Sequence, residues 1–166
     1  MHRIHPAPKR WIATTFALVA LALSIPGYAK VLHEERSVYT RIIVEDERNL
    51  RCLKFTLVRE NSRQTCMDRN NPQRLVFDYA KMTLSALLLK PDPERILIIG
   101  LGGGTLPMAL RDILPSAVID TVEIDEAVVR VAERFFDFAE DDQNRVYVQD
   151  ARVFGKRAAL RGEQYD

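Results

Sequence analysis

The sequence has few of the residues that build metal and redox centres: two cysteines and three histidines in 166 residues. Cys52 and Cys66 lack zinc-ligand spacing and no histidine cluster lies near them, so no metal is expected. They read as two small buried apolar side chains. The alternative, a disulfide between neighbouring strands, requires export to an oxidising compartment. An excess of charge of one sign is also missing. With a formal net charge of +1 the chain has no basic footprint for nucleic acid. Internal repeats and low-complexity tracts are absent. The one long apolar run, residues 11–25, falls short of the roughly 20 residues of a typical membrane span.

What is present is a globular composition, 47% hydrophobic, in a length that suits one domain with a small appendage. Residues 1–29 form a targeting segment. Arg3, Lys9 and Arg10 make a positive start, the uncharged run 11–25 follows, and residues 26–29 offer small side chains for a cut after Ala29. The expected location is exported, periplasmic or extracellular, with an uncleaved membrane anchor as the second reading. An ordinary N-terminal helix is the weakest reading, because the run has no polar face to show to water.

The rest of the chain is organised around Arg95 to Thr105 and the Val122-Glu123-Ile124-Asp125 that follows it. Residues 96–99 are an unbroken apolar run, expected to be a strand buried on both faces of a parallel sheet. Gly100, Gly102, Gly103 and Gly104 then allow a sharp turn and close approach of backbone to a ligand. Residues 105–114 read as a helix with Pro107 in its first turn and Pro115 after its end. Glu123 closes a second strand, residues 118–124, and lies 23 residues after Gly100. A glycine turn and helix N-terminus under one end of a ligand, with a carboxylate for ribose hydroxyls at the other, make a nucleotide-type site. Thr105 stands where a dinucleotide fingerprint has its third glycine, so the cofactor is not specified. The plainer alternative is a doubly wound sheet whose glycines only tighten a turn.

Residues 30–68 are strand-like, with polar breaks at 46–49 and 60–63, and predict a small antiparallel sheet followed by a linker at 68–71. Asn71-Pro72 reads as a helix start, with Leu75, Tyr79, Met82, Ala86 and Leu89 on one face. After Asp125 comes an amphipathic helix, an acidic solvated loop at 137–144, a strand at 146–148 and a helix at 152–160. Asp150 ends that strand on the same rim as Glu123. Tyr165-Asp166 reads as the first step of a fourth strand. The expected organisation is 1–29 leader, 30–71 β domain and 72–166 Rossmann-like nucleoside-binding domain, an α/β fold of class I methyltransferase type.

Phe77-Asp78-Tyr79-Ala80-Lys81-Met82, the glycine turn and Val-Glu-Ile-Asp, in this order after a small β-sheet, resemble the spermidine synthase (polyamine aminopropyltransferase) family. The resemblance runs from about Val38 to Asp166. It implies decarboxylated S-adenosylmethionine as donor and a diamine such as putrescine as acceptor. It places Gln64 and Tyr79 on the substrate pocket, Glu123 on the ribose hydroxyls and Asp150 on the adenine amino group. It also implies a homodimer.

Three departures accompany the resemblance. The family's Gly-Gly-Gly-Asp-Gly-Gly loop has an aspartate for the donor's amine, and Gly103 occupies that place. The family's Tyr-His/Gln-Glu triplet reads Tyr79-Ala80-Lys81. The family's catalytic aspartate falls a few residues beyond Tyr165-Asp166, and no carboxylate here matches it. The first expectation is therefore an aminopropyltransferase-like N-terminal portion whose general base is absent, leaving Tyr79 as the catalytic candidate. The alternatives are an S-adenosylmethionine-dependent methyltransferase and a non-catalytic exported protein that binds polyamine or nucleoside.

Overall fold

A computed structural model describes residues 29–56 and 63–166. The expected leader through residue 28 and the polar break at 60–62 lie outside the described residues. Among the described residues no helix is long and apolar enough to cross a membrane.

Alternating side chains make the first sheet. Strands β1 (Lys30–Arg36), β2 (Arg41–Glu47), β3 (Leu50–Phe55), β4 (Arg63–Asp68) and β5 (Asn71–Leu75) pair antiparallel in chain order. Ile42, Val44, Leu53 and Met67 point to one face and are buried. Glu45 falls on the other face, where Lys54 pairs with its carboxylate. Cys52 stands opposite Cys66 in the β3–β4 register, and the two form a disulfide. Both are buried, as expected of small apolar side chains, but they are joined rather than free.

The helix expected from Asn71 is a strand. The Asp68 carboxylate accepts hydrogen bonds from the Asn70 N–H, Asn49 Nδ2 and Arg74 Nη1, closing a tight turn that sends the chain back along β4. Strand pairing thus overrides the cap signal, and Pro72 is tolerated because β5 is an edge strand. Helix α1 is only Asp78–Thr83 and passes into a 3₁₀ turn, Leu84–Leu88. No buried helical face forms: Tyr79, Met82 and Leu89 are exposed.

The second sheet is parallel, in the order β6 (Arg95–Ile99), β7 (Val118–Glu123), β8 (Asn144–Val148). Helices α2 (Thr105–Ile113), α3 (Glu126–Phe135) and α4 (Ala151–Leu160) alternate with these strands. The most deeply buried strand of the three is β7, not β6. Ile96, Leu97 and Ile98 are half-buried and Ile99 is 60% exposed, because β6 lies at the sheet edge. The Asp166 N–H donates to the Arg95 carbonyl at 3.0 Å, which lays the last residues against the start of β6.

The apolar face of α3 carries Ala127, Val128, Val131 and Ala132 into one core with Ile42, Val44, Leu53 and Met67, so the two sheets share it. The segment at 137–144 is not simply solvated. Phe138 is buried in that core, because an aromatic ring gains more by packing than its acidic neighbours lose by being held near it. Beneath α4, Val122, Phe154 and Ala158 form a second cluster joined by Tyr165. Asp120 is buried there with its charge matched. Arg95 and Arg145 donate to it at 2.7 and 2.9 Å, and the Tyr165 hydroxyl donates at 3.0 Å. Burial, then the bond to Asp120, pushes the Tyr165 phenol up to about 12.

Candidate nucleoside site

The site lies where β6 and β7 end. The glycine turn between β6 and α2 takes positive φ at Gly100 (92°), Gly102 (58°) and Gly104 (72°), a region that L side chains rarely adopt. The four glycines differ in what surrounds them. A Cβ at Gly100 would meet nothing within 4 Å, so this residue presents open backbone to the cleft. At Gly103 a Cβ would lie 2.5 Å from Thr65 Cγ2 and 2.9 Å from Phe136, and at Gly104 it would lie 2.4 Å from Phe138. At Gly102 a Cβ would lie 2.9 Å from the Thr65 hydroxyl. Glycines 102–104 are therefore needed for close packing of the turn onto β4 and the α3–β8 loop. Gly100 alone is bare towards a ligand.

Glu123 is buried, 8% exposed, at the end of β7. Its Oε2 accepts from the Leu101 N–H at 2.9 Å and its Oε1 from the Asp125 N–H at 3.0 Å. One carboxylate thus holds the glycine turn and the start of α3 in register. Each oxygen has a second lone pair for a ligand hydroxyl. Asp125 in turn caps α3, its Oδ1 accepting from the Ala127 N–H at 3.0 Å.

A cleft of about 310 Å³ brings Glu123 together with Gly100, Gly102, Gln64 and Tyr79. Tyr79 reaches it across the sheets, its hydroxyl donating to the Gln64 carbonyl at 3.2 Å. Phe55, Ile98, Ile99 and Leu106 supply apolar walls that a purine or aliphatic chain can use. Gly103, Gly104 and Asp150 do not line it. Asp150 caps α4, accepting from the Arg152 N–H at 2.8 Å and from the Arg152 guanidinium at 2.6 Å. Those bonds, the guanidinium's first, hold its carboxyl at about 2. The residues that sequence reasoning missed are Thr65, Phe136 and Phe138. Each touches a glycine across a long stretch of chain, and no local pattern marks such a contact.

A polyamine aminopropyltransferase of Vibrio vulnificus is 45% identical over 159 residues, which cover 93% of this chain and 53% of that protein. The chain belongs to the spermidine synthase (polyamine aminopropyltransferase) family. It spans about half the length of that relative. A Xenopus laevis eEF1A lysine and N-terminal methyltransferase is 33% identical over 107 residues, covering 60% of this chain and 15% of that one. No protein-family model matches the chain. Among solved structures, a probable spermidine synthase of Corynebacterium glutamicum has a TM-score of 0.60 at 19% identity, covering 74% of this chain and 46% of its own. A spermidine synthase bound to the transition-state analogue AdoDATO has 0.58 at 20%, covering 77% and 43%. These likenesses establish the spermidine synthase fold for the two sheets of this family member.

Proposed function

We propose that the cleft binds the adenosyl part of an S-adenosylmethionine-type donor. On this reading the chain serves aminopropyl transfer from decarboxylated S-adenosylmethionine to a diamine such as putrescine. The observation that carries the reading is the meeting of open Gly100 backbone and the Glu123 carboxylate in one apolar-walled cleft. Glu123 takes the ribose hydroxyls, and Ile98, Ile99 and Leu106 cover the base and the aliphatic chain. In the reaction the amine nitrogen attacks the propyl carbon attached to sulfur, the carbon–sulfur bond breaks, methylthioadenosine leaves, and the amine gives up one proton. The sulfonium is already electrophilic, so positioning supplies most of the catalysis. Tyr79 and Gln64 line the side of the cleft where an acceptor would approach.

A second reading, methyl transfer from S-adenosylmethionine itself, is favoured by Gly103. Thr65 and Phe136 fill the space of any side chain there, and the first turn of α2 carries no acidic residue. An ammonium finds no partner at that point, whereas a carboxylate is welcome at a helix N-terminus. Incubation with each donor separates the two. Methylthioadenosine formed only when putrescine is present supports aminopropyl transfer, and S-adenosylhomocysteine formed from S-adenosylmethionine supports methyl transfer. Tyr79→Phe lowers turnover if the hydroxyl orients the acceptor, and unchanged turnover removes it from the mechanism.

The Cys52–Cys66 disulfide supports export, because such bonds persist in oxidising compartments. Thiol alkylation of the protein from its native host tests this. Two reactive thiols without prior reduction would argue against it. A homodimer is part of the same proposal, checked by sedimentation.

A further inference from the structure

Strand β4 reaches the nucleoside cleft through an irregularity in its pairing with β3. From Leu50 opposite Asp68 to Leu53 opposite Thr65 the register is even, and Lys54 then stands opposite Arg63. Gln64 is therefore the extra residue of a β-bulge, which bends the strand and re-aims the groups beside it. The Gln64 carbonyl accepts the Tyr79 hydroxyl at 3.2 Å, and Gln64, Thr65 and Tyr79 all line the cleft. Thr65 also takes the space that a Cβ at Gly102 or Gly103 would need. The bulge thus bears on the Tyr79 wall and on the glycine turn together.

Burial does not fix where this bulge sits. Thr65, Cys66, Met67 and Asp68 are buried one after another, on both faces of the strand. Register is set firmly where one face is buried and the other is wet, and β4 has no such contrast. Moving the bulge towards Met67 would keep the ladder and turn Thr65 away from the glycines. The nearest fixed point is the Cys52–Cys66 disulfide, adjacent to Leu53 on β3 and to Thr65 on β4. A bulge cannot move past a residue that is bonded to the one opposite.

We infer that the Cys52–Cys66 disulfide is a positioning crosslink for the cleft: it locks the Gln64 bulge, and its redox state sets nucleoside affinity. Its bearing on affinity rests on the proposed nucleoside site, whereas the locking of the bulge stands apart from that site's ligand. When a dithiol reduces the bond, the S–S bond breaks. Two electrons and two protons pass to Cys52 and Cys66, and the dithiol leaves as its own disulfide. The strands stay paired through their backbones, but the bulge is released and Thr65 withdraws from the turn.

The test compares the oxidised chain, the same chain reduced with dithiothreitol and the Cys52→Ser/Cys66→Ser variant, all held well below their melting temperatures. Thiol counting in denaturant verifies each redox state. Amide exchange is read by NMR at Gly100, Leu101 and Gly104, whose N–H groups donate to the Val122 carbonyl, Glu123 and the Leu101 carbonyl. On reduction these exchange at least tenfold faster, while Ile119 in β7 and Phe154 in α4 stay within twofold. Methylthioadenosine affinity falls at least fivefold, reoxidation restores it, and the serine variant binds weakly with or without the dithiol. Equal quickening of every amide, as from a crosslink that serves only global stability, overturns the inference. Unchanged exchange at the turn, or unchanged affinity on reduction of a chain that binds when oxidised, also overturns it. Failure of the oxidised chain to bind methylthioadenosine counts against the nucleoside reading alone, and the exchange rates still decide whether the crosslink locks the turn.

Discussion

The antiparallel sheet β1–β5 and the parallel sheet β6–β8 are held together by different means and contribute differently to the site. The first closes each strand on the next through short turns, has one buried face and is crosslinked at Cys52–Cys66. The second is assembled through helices, and its central strand is buried on both sides with a matched charge at Asp120. Chemistry-bearing groups sit at the ends of the parallel strands, where backbone turns into helix N-termini. Yet the turn that bears them is shaped from the other sheet: Thr65 of β4 takes the space that a Cβ at Gly102 or Gly103 would need. Arg51 of β3 also reaches across, its Nη1 donating to the Phe135 carbonyl at 3.1 Å. The site belongs to both sheets, although only one looks like a nucleotide fold.

The sharpest way to break this comparison is to loosen the antiparallel sheet alone. Replacing Cys52 and Cys66 together by serine opens a crosslink between residues 14 apart. It should cost about 3 kcal/mol of stability, read by chemical denaturation. Methylthioadenosine binding should fall with the fold. Binding that survives unfolding of β1–β5 would show that the parallel sheet makes the site unaided.

Glu123→Ala acts from the other side. It removes the acceptor of two backbone N–H groups as well as the proposed ribose partner, so ligand affinity should drop by about 2 kcal/mol, roughly 30-fold. Unchanged affinity in calorimetry would remove Glu123 from the ligand. Gly103→Ala probes the contact between the sheets, where its Cβ would fall 2.5 Å from Thr65 Cγ2. Overpacking there should cost about 1–2 kcal/mol, and Thr65→Ser should recover part of it in a double-mutant cycle. Additive effects would mean that the two residues do not meet.

The smallest effect is with acid. The Lys90 ammonium, with the Arg95 and Glu94 N–H groups, holds the Asp166 carboxyl at about 2, and Asp150 is held at about 2 by Arg152. Both lie below the ordinary 3.8, so the stability they contribute is full above about pH 4 and is lost as pH falls through about 2. Asp166→Asn should flatten that part of the acid-unfolding curve. An identical curve would show that the chain end is not tied to β6 in solution.

The parts of the molecule that were legible in the sequence are those that short-range physics decides. A glycine-rich turn after an apolar run, Pro107 inside the first turn of α2 and Pro115 beyond its end mark strand, turn and helix within one window. Glu123 was legible as a rim carboxylate for the same reason. The reading failed at Asn71-Pro72, where a cap signal competed with a turn closed by Asp68 and lost to strand pairing.

The sequence by itself determined the elements from β6 onward, their order, and the glycine turn with its carboxylate, because these follow from backbone preferences and spacing along a few residues. Only the tertiary structure decided which glycine is bare and which are packed, that Cys52 meets Cys66, that Phe138 is core, and that Asp150 caps α4 and pairs with Arg152. Each of those outcomes depends on which side chains come together when the elements pack, and spacing along the chain does not record that.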